Sequence, residues 1–204
     1  MTNSAVSTTE STRSAPQAAL DYWLEQCLAG EEFAYVEVYN QYAGLIYRLC
    51  LSLLRHREDA EEVLQDSFEY AFRKLESYDP AKASFKTWLY QIAISRCRNK
   101  RRRKWLLTTP LNALAREQIA DESIVSPDDS LSLDERQLVV WNALGALSPK
   151  LRETAILRYY EGMTYGQIGE VLKIPAKTAE SRMRLAHKAL RKILSSELDN
   201  RELV

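Results

Sequence analysis

The chain has 204 residues, of which 46% are hydrophobic and 27% charged, as in a soluble globular protein of one or two small domains. With six glycines, six prolines and no long alternation of apolar with polar residues, a β-sandwich or barrel is excluded. No stretch is apolar enough for a membrane span or a secretory signal. The composition therefore predicts an all-α protein of the cytoplasm, without direct membrane insertion.

The formal net charge is zero, because 28 basic residues balance 28 acidic ones, but the charges are segregated. Residues 96–104 hold seven basic and no acidic side chains, and residues 173–192 hold seven basic and one acidic. Residues 58–69 hold six acids and no base, and residues 115–137 hold seven acids and two bases. The sequence thus predicts two basic surfaces and two acidic segments.

The histidines and cysteines are too few and too scattered for a zinc site, and we expect no metal and no cofactor. They are Cys27, Cys50, Cys97, His56 and His187. Each cysteine lies in a helical pattern, where a free thiol is usually a small buried side chain. Arg96 and Arg98 flank Cys97, and their positive charge would lower its thiol pKa, which leaves oxidant sensing open as an alternative.

The N-terminal half is predicted to be a disordered tail, residues 1–17, followed by a helical domain, residues 18–105. Apolar residues at a 3.6-residue spacing predict four helices in this domain. We expect Gly30 to end the first, the second to run over residues 33–53, Tyr78-Asp79-Pro80 to end the third, and the fourth to begin near Ser84.

Residues 106–131 contain two prolines and paired acids with weak periodicity, and we predict a flexible acidic linker. At a charge of −5 over residues 115–137, the linker region would partly shield the basic surfaces of the free protein. Neutralising its acids should then raise the affinity for DNA. The acids concerned are Asp121, Glu122, Asp128 and Asp129.

Residues 132–204 are predicted to form a second helical domain that contains a helix-turn-helix. Ser132-Leu133-Asp134-Glu135 and Thr164-Tyr165-Gly166-Gln167 fit capping boxes, and Ser148-Pro149 is a further helix start. We expect Gly162 to end one helix and Pro175 to begin the last one, after a three-residue turn.

The last helix is expected to bury Ala179, Met183 and Ala186 and to present a basic and polar face to the solvent. An α-helix fits the major groove, and arginine pairs bidentately with guanine, so this face is a candidate DNA-reading surface. An ordinary solvated basic helix is the alternative. The predicted outward residues are Lys177, Thr178, Glu180, Ser181, Arg182, Arg184, His187 and Lys188.

The basic cluster at residues 96–104 lies near aromatic residues, a combination that binds single-stranded nucleic acid by neutralising phosphates and stacking bases. The aromatic residues are Tyr78, Phe85, Trp88, Tyr90 and Trp105. The alternative is that Phe85 and Trp88 belong to the core. For the acidic helix at residues 58–69, a solvated face, a partner-docking surface and a carboxylate metal cluster remain open, although no accompanying histidine or lysine pattern favours the metal.

Two sets of motifs closely resemble one family, the extracytoplasmic-function sigma factors of bacterial RNA polymerase. Residues 59–68 (DAEEVLQDSF) and 85–93 (FKTWLYQIA) resemble conserved region two of that family. Residues 143–149 (ALGALSP), 157–165 (LRYYEGMTY) and 181–183 (SRM) resemble region four. The motif sets occur in the family's order and the resemblance covers nearly the whole chain after residue 17.

The resemblance implies a transcription initiation factor, not an enzyme and without a small-molecule substrate, that binds core RNA polymerase and promoter DNA. It further implies an anti-sigma partner, which in many members is membrane-bound. Docking on the polymerase is implied for Asp59, Glu62, Leu64, Gln65, Asp66 and Phe68. Capture of unpaired minus-ten bases is implied for Tyr78, Lys82, Phe85, Lys86, Trp88, Ser95, Arg96, Arg98 and Asn99. The last helix would read the minus-thirty-five element.

The chain departs from the family's usual residues at Ser95, Asn99, Lys177 and Glu180, and these changes bear on which promoter sequence is read. Glu180 could accept a hydrogen bond from cytosine but would repel phosphate. A stand-alone regulator that uses only the helix-turn-helix, and a recombinase or nuclease, are the rival functions. The first leaves the acidic helix unexplained, and the second needs a nucleophile or metal cluster that the sequence does not offer.

Overall fold

The computed structural model describes residues 15–108 and 135–201, which form helices joined by short turns, and no strand occurs within them. The predicted all-α class is thereby confirmed for these residues. Most of the predicted tail and linker, with the four acids assigned to shielding, lies outside them. Among the described residues, no helix combines the length and the hydropathy that a bilayer crossing needs. The chain divides after Gln41 into two compact units.

The first unit contains α1 (Ala15–Leu28) and the start of α2 (Glu32–Leu54). Gly30 has a φ of +88°, a left-handed conformation that glycine adopts without strain, and it separates the two helices as predicted. The Tyr35 hydroxyl donates a hydrogen bond of 2.6 Å to the carbonyl of Cys27, which fixes the turn between them.

In the second unit, α2 is followed by α3 (Arg57–Arg73), a 3₁₀ turn (Leu75–Ser77) and α4 (Phe85–Thr108). The imidazole Nδ1 of His56 accepts the backbone N–H of Asp59 and caps α3. The third helix ends earlier than its predicted stop, because the 3₁₀ turn precedes Pro80. Ser84 Oγ accepts the Thr87 N–H at 3.2 Å, so α4 begins where predicted.

The C-terminal helices are α5 (Glu135–Gly145), α6 (Pro149–Tyr159), α7 (Tyr165–Leu172) and α8 (Ala176–Arg201). Thr164 and Gln167 form the predicted capping box, and proline occupies the first turn of α6 as predicted. The core of this part contains Leu144, Leu147, Ala155, Met183 and Ala186. Its apolar contacts bring α8 against α6 and α7.

The turn between α7 and α8 is tight and confirms the predicted helix-turn-helix. Lys173 has a left-handed φ of +56°, and the Ile174 N–H donates to the carbonyl of Gly169 at 2.9 Å. A Cβ atom at Gly169 would lie 2.7 Å from the Ile174 carbonyl oxygen, so only glycine allows this approach. The short turn fixes α8 relative to α7.

Candidate nucleic-acid interface

The first candidate surface is the outer face of α8, whose register agrees with the predicted one. Ala179, Met183 and Ala186 are completely or almost completely buried. On the opposite side, the predicted DNA-reading residues are exposed or half-buried. The exposed ones are Lys177, Glu180, Arg184, His187 and Lys188, and the half-buried ones are Thr178, Ser181 and Arg182.

His187 is the member of this set with a partner on another helix. Its Nε2 atom lies in a short hydrogen bond to the hydroxyl of Tyr159, an exposed residue of α6. Both side chains line an apolar groove between α5, α6 and α8. We therefore place His187 at the edge of the α8 face, with Arg184 and Lys188 closer to its centre.

The second candidate surface is the aromatic group at the start of α4. Phe85 is fully buried, with its ring 5.3 Å from that of Tyr42 and 5.5 Å from that of Tyr78. A buried ring cannot contact a base as predicted, and Phe85 instead packs beneath the ring of Tyr78. Trp88 is half-buried, and its ring lies 5.3 Å from that of Tyr78. Tyr78 and Trp88 thus form the part of this group that reaches the surface.

Tyr90, the next aromatic residue along α4, is also completely buried. Its hydroxyl donates a hydrogen bond to the carboxylate of Glu161. Burial and this bond raise the pKa of Tyr90 far above its usual value, so it stays a neutral donor. Of the remaining predicted minus-ten residues, Lys82, Ser95 and Asn99 are exposed, and Lys82 pairs with Asp79 at 2.8 Å.

The basic cluster of α4 and the acidic face of α3 contact each other. Lys100 Nζ lies 3.3 Å from a carboxylate oxygen of Asp59 and also pairs with Glu62. Lys104 Nζ lies 3.2 Å from Asp59, and Arg96 lies 4.0 Å from Asp66. The two surfaces that the sequence predicted as separate therefore neutralise each other in part.

Asp59 is the centre of this contact. Burial raises the pKa of its carboxyl, but the hydrogen bond and charge of Lys104, together with His56 and Lys100, outweigh burial. The resulting pKa lies below its usual value, so Asp59 is ionised at neutral pH. Of the predicted polymerase-docking residues, Glu62 and Gln65 are exposed, Leu64 and Asp66 are half-buried, and Phe68 is buried.

Comparisons with known proteins place the chain in a family. Residues 38–106 match Sigma-70 region 2, and residues 137–190 match Sigma-70 region 4. A sigma factor of Mycolicibacterium vanbaalenii, ECF RNA polymerase sigma factor SigK, is 32% identical over 177 residues, 87% of this chain and 90% of that protein. The chain belongs to the ECF sigma factors of bacterial RNA polymerase. ECF RNA polymerase sigma factor SigW of Bacillus subtilis is 29% identical to this sigma factor over 84% of the present chain and 94% of its own.

Two solved structures share the fold of this sigma factor. CnrH, in complex with the cytosolic domain of CnrY, has a TM-score of 0.64 at 22% identity and covers 87% of this chain and 98% of its own. The sigma factor RpoE of Bartonella quintana, in complex with the anti-sigma factor NepR, has a TM-score of 0.62 at 22% identity, over 79% of this chain and 96% of its own. Sigma factors direct RNA polymerase to promoters and are not enzymes, so this one is a transcription initiation factor.

Two acids of this sigma factor contact α4 in a way that its sequence patterns do not predict. Glu153 of α6 is buried and accepts two hydrogen bonds from Arg98, of 3.0 and 2.6 Å, and Glu161 binds Tyr90 and lies 3.7 Å from Lys86. A glutamate inside the buried stretch of α6 was the available signal for Glu153, since a charged side chain is rarely buried without a partner. Glu161 lies in the region-four motif at residues 157–165, but nothing in the local sequence indicates that its side chain contacts α4.

The burial of Cys97 argues against the oxidant-sensing alternative. Its thiol is buried, and although Arg101 lowers its pKa, burial raises that pKa well above the usual value. Neutral thiols are poor nucleophiles, so the positive neighbours do not make Cys97 reactive in this sigma factor. Among the side chains that the structure describes, no three histidine, cysteine or acidic groups are arranged to hold a metal ion.

Proposed function

We propose that three surfaces of this sigma factor bind three different partners. The outer face of α3 binds core RNA polymerase, the surface from Tyr78 to Asn99 binds unpaired minus-ten bases, and α8 reads the minus-thirty-five element in the major groove. The observation that carries the proposal is the register of α8, which turns its basic and polar residues outward directly after a tight helix-turn-helix.

For the minus-thirty-five element, the first turns of α8 supply the base contacts. Lys177, Thr178 and Ser181 lie at the start of the helix, where a recognition helix contacts base edges. Arg184 and Lys188 follow at four-residue spacing and suit the flanking phosphates. Glu180 favours cytosine, whose N4 amino group donates in the major groove, and disfavours close approach to phosphate.

For the minus-ten element, Tyr78 and Trp88 provide the stacking surface, held from below by Phe85. The adjacent exposed face of α4 carries Ser95, which can donate to a base edge, and Arg98, which can bind phosphate. Stacking contributes about 1–3 kcal/mol per base, so the two rings are enough for weak binding of unpaired bases.

The polymerase-docking surface consists of Glu62, Gln65 and Asp66, the polar members of the predicted docking set that are exposed or half-buried on α3. Asp59, Leu64 and Phe68 support these residues from the inner side, where Asp59 anchors Lys100 and Lys104. We place the protein in the cytoplasm, where RNA polymerase acts. We also propose an anti-sigma partner, as the sigma factor RpoE of Bartonella quintana was solved in complex with the anti-sigma factor NepR.

Gel filtration with purified bacterial core RNA polymerase tests the docking surface. The unaltered protein should co-migrate with polymerase, and Glu62→Lys combined with Asp66→Lys should abolish co-migration. Glu76→Lys is the control, because Glu76 is an exposed acid of the same region outside α3. Equal loss in the control, or full retention in the α3 variant, would contradict the assignment. Asp59 is left unaltered because it is the least exposed of these acids and pairs with both Lys100 and Lys104.

A further inference from the structure

We propose that Glu153 and Glu161 hold the basic face of α4 in a closed form of the free protein, in the place that promoter phosphates take in the open form. DNA capture by α4 then requires α6 and α7 to separate from it. This inference rests on the assignment of α4 to minus-ten DNA above. It concerns contacts inside the second unit, where α4 packs against the helix-turn-helix.

Glu153 makes the central contact of the closed form. Its side chain is 3% exposed, and it pairs with Arg98 at two points and with Arg101 at 3.5 Å. A carboxylate at this depth is stable only if cations compensate it, so the arginines are a requirement of the packing. The two-point geometry is the one by which arginine binds phosphate, so Arg98 cannot serve both partners at once.

Glu161 makes a second contact, toward the start of α4. Its side chain is 7% exposed, accepts the hydroxyl of Tyr90 and lies 3.7 Å from Lys86 Nζ. Lys86 and Tyr90 are four residues apart and therefore lie on the same face of α4. Arg98 and Arg101 continue that face toward the end of the helix. The two glutamates therefore bind one continuous stripe of α4.

A third contact joins the end of α2 to α5. Arg55 donates to the Asn142 side chain at 2.9 Å, and its guanidinium lies 5.6 Å from the ring centre of Trp141. A Cβ atom at Gly145 would lie 1.1 Å from Arg55 Nη1, so the two surfaces meet without a gap. Buried Arg152 reaches from α6 to the carbonyl of Leu53.

These contacts predict weak binding of DNA by the free protein. If about one molecule in thirty is open, the apparent affinity of the α4 surface falls about thirty-fold below its intrinsic value. Loss of the two carboxylates should recover most of that factor. This weakening of DNA binding rests on Glu153 and Glu161 and does not involve the four linker acids, which lie outside the described residues.

The test measures DNA binding and closure on the full-length protein. Fluorescence anisotropy with a labelled single-stranded oligonucleotide of mixed sequence gives the affinity. Spin labels on Glu76→Cys and Lys150→Cys, two exposed positions, give the distance between the two sides of the contact by pulsed electron paramagnetic resonance. Glu153→Gln with Glu161→Gln should bind DNA about ten-fold or more tightly and show longer label distances.

Two further variants separate opening from a general charge effect. Glu170→Gln removes one exposed carboxylate from α7 and should leave the distances and, within about two-fold, the affinity unchanged. Gly145→Ala changes no charge, but its methyl group displaces Arg55, and it should open the contact and raise the affinity. Gly145→Ala also keeps the test decisive if the double glutamine variant fails to fold, which circular dichroism would reveal.

Each failure has its own signature. Broad label distances in the unaltered protein, identical to those of the variants, would overturn the closed form and leave the proposed function intact. Opened variants that bind the oligonucleotide, but no more tightly than the unaltered protein, would overturn the inhibitory role alone. Failure of every variant, opened or closed, to bind the oligonucleotide would contradict the assignment of α4 to minus-ten DNA. Polymerase co-migration, measured separately, reports on α3 alone.

Discussion

Arg98 and Glu153, 55 positions apart in the chain, meet in a two-point ion pair, with Nε 3.0 Å from one carboxylate oxygen and Nη2 2.6 Å from the other. The two partners differ in burial, since 43% of the Arg98 side chain is exposed against 3% for Glu153. The hydrogen bond to Glu153 raises the pKa of Arg98 above its already high value, so the Arg98 guanidinium stays charged at every physiological pH.

This difference predicts unequal effects for the two single substitutions. Arg98→Gln leaves a buried carboxylate with Arg101 as its remaining cation, and should lower the free energy of unfolding by about 3 kcal/mol, or open the contact if that is easier. Glu153→Gln leaves an arginine that water can solvate, and should lower it by about 1 kcal/mol or less. Urea unfolding of both variants checks the order, and equal losses would contradict it.

Asp59→Asn should destabilise the protein in a pH-dependent way. The folded-state pKa of Asp59 lies below the value of about 3.9 in an unfolded chain, so its stabilisation is present above that value and is lost as the pH falls through the folded pKa. We expect a loss of about 1–2 kcal/mol at pH 7. Unfolding free energies measured from pH 7 to pH 3 should converge for variant and parent, and a constant difference would contradict the assignment.

Gly169→Ala should disrupt the helix-turn-helix, because its Cβ atom would meet the Ile174 backbone at 2.7 Å. Overpacking of this kind destabilises by about 1–3 kcal/mol. The matched control is Gly166→Ala in the same helix, where the nearest atom is 3.8 Å away and alanine should be neutral or stabilise by up to about 1 kcal/mol. Thermal unfolding followed by circular dichroism compares them, and equal melting temperatures would refute the close approach.

All three thiols should react slowly with a disulfide reagent in the folded protein. Cys27, Cys50 and Cys97 are buried, and burial raises the pKa of Cys27 to about 11. A shift of this size lowers the thiolate fraction about a hundredfold at neutral pH relative to a free thiol. The reaction rate should therefore rise by that order when guanidinium unfolds the chain. A fast phase in the native protein would contradict the burial of at least one thiol.

The sequence predicted well those features that depend on neighbouring residues. The capping box at Thr164, the start of α4 at Ser84 and the buried stripe of α8 each follow from local hydrogen bonding or helical spacing, and the structure confirms them. The resemblance to the sigma family is confirmed by the two region matches. Assignments of individual residues to polymerase or DNA remain predictions.

The pairing of distant elements was not predictable in the same way. Periodicity shows that one face of a helix is apolar but does not identify the helix that covers it. For this reason Lys100 with Asp59 and Arg98 with Glu153 were missed as pairs. Phe85 shows the same difficulty, since an aromatic residue beside a basic cluster fits a stacking site as well as a core, and its complete burial decides for the core.

Lys100 stands between two acids of α3, Asp59 and Glu62, while belonging to the helix assigned to DNA. The hydrogen bond that Lys100 donates to Glu62 raises the pKa of Lys100, so this charge is shared between the two helices. A phosphate that binds Lys100 removes the cation that compensates the negative charge of Glu62. A ligand that binds Glu62 likewise releases Lys100 from its ion pair. Under the proposed assignment of α3 to polymerase and of α4 to promoter DNA, thermodynamic reciprocity requires that each of these ligands strengthen the binding of the other by the same factor.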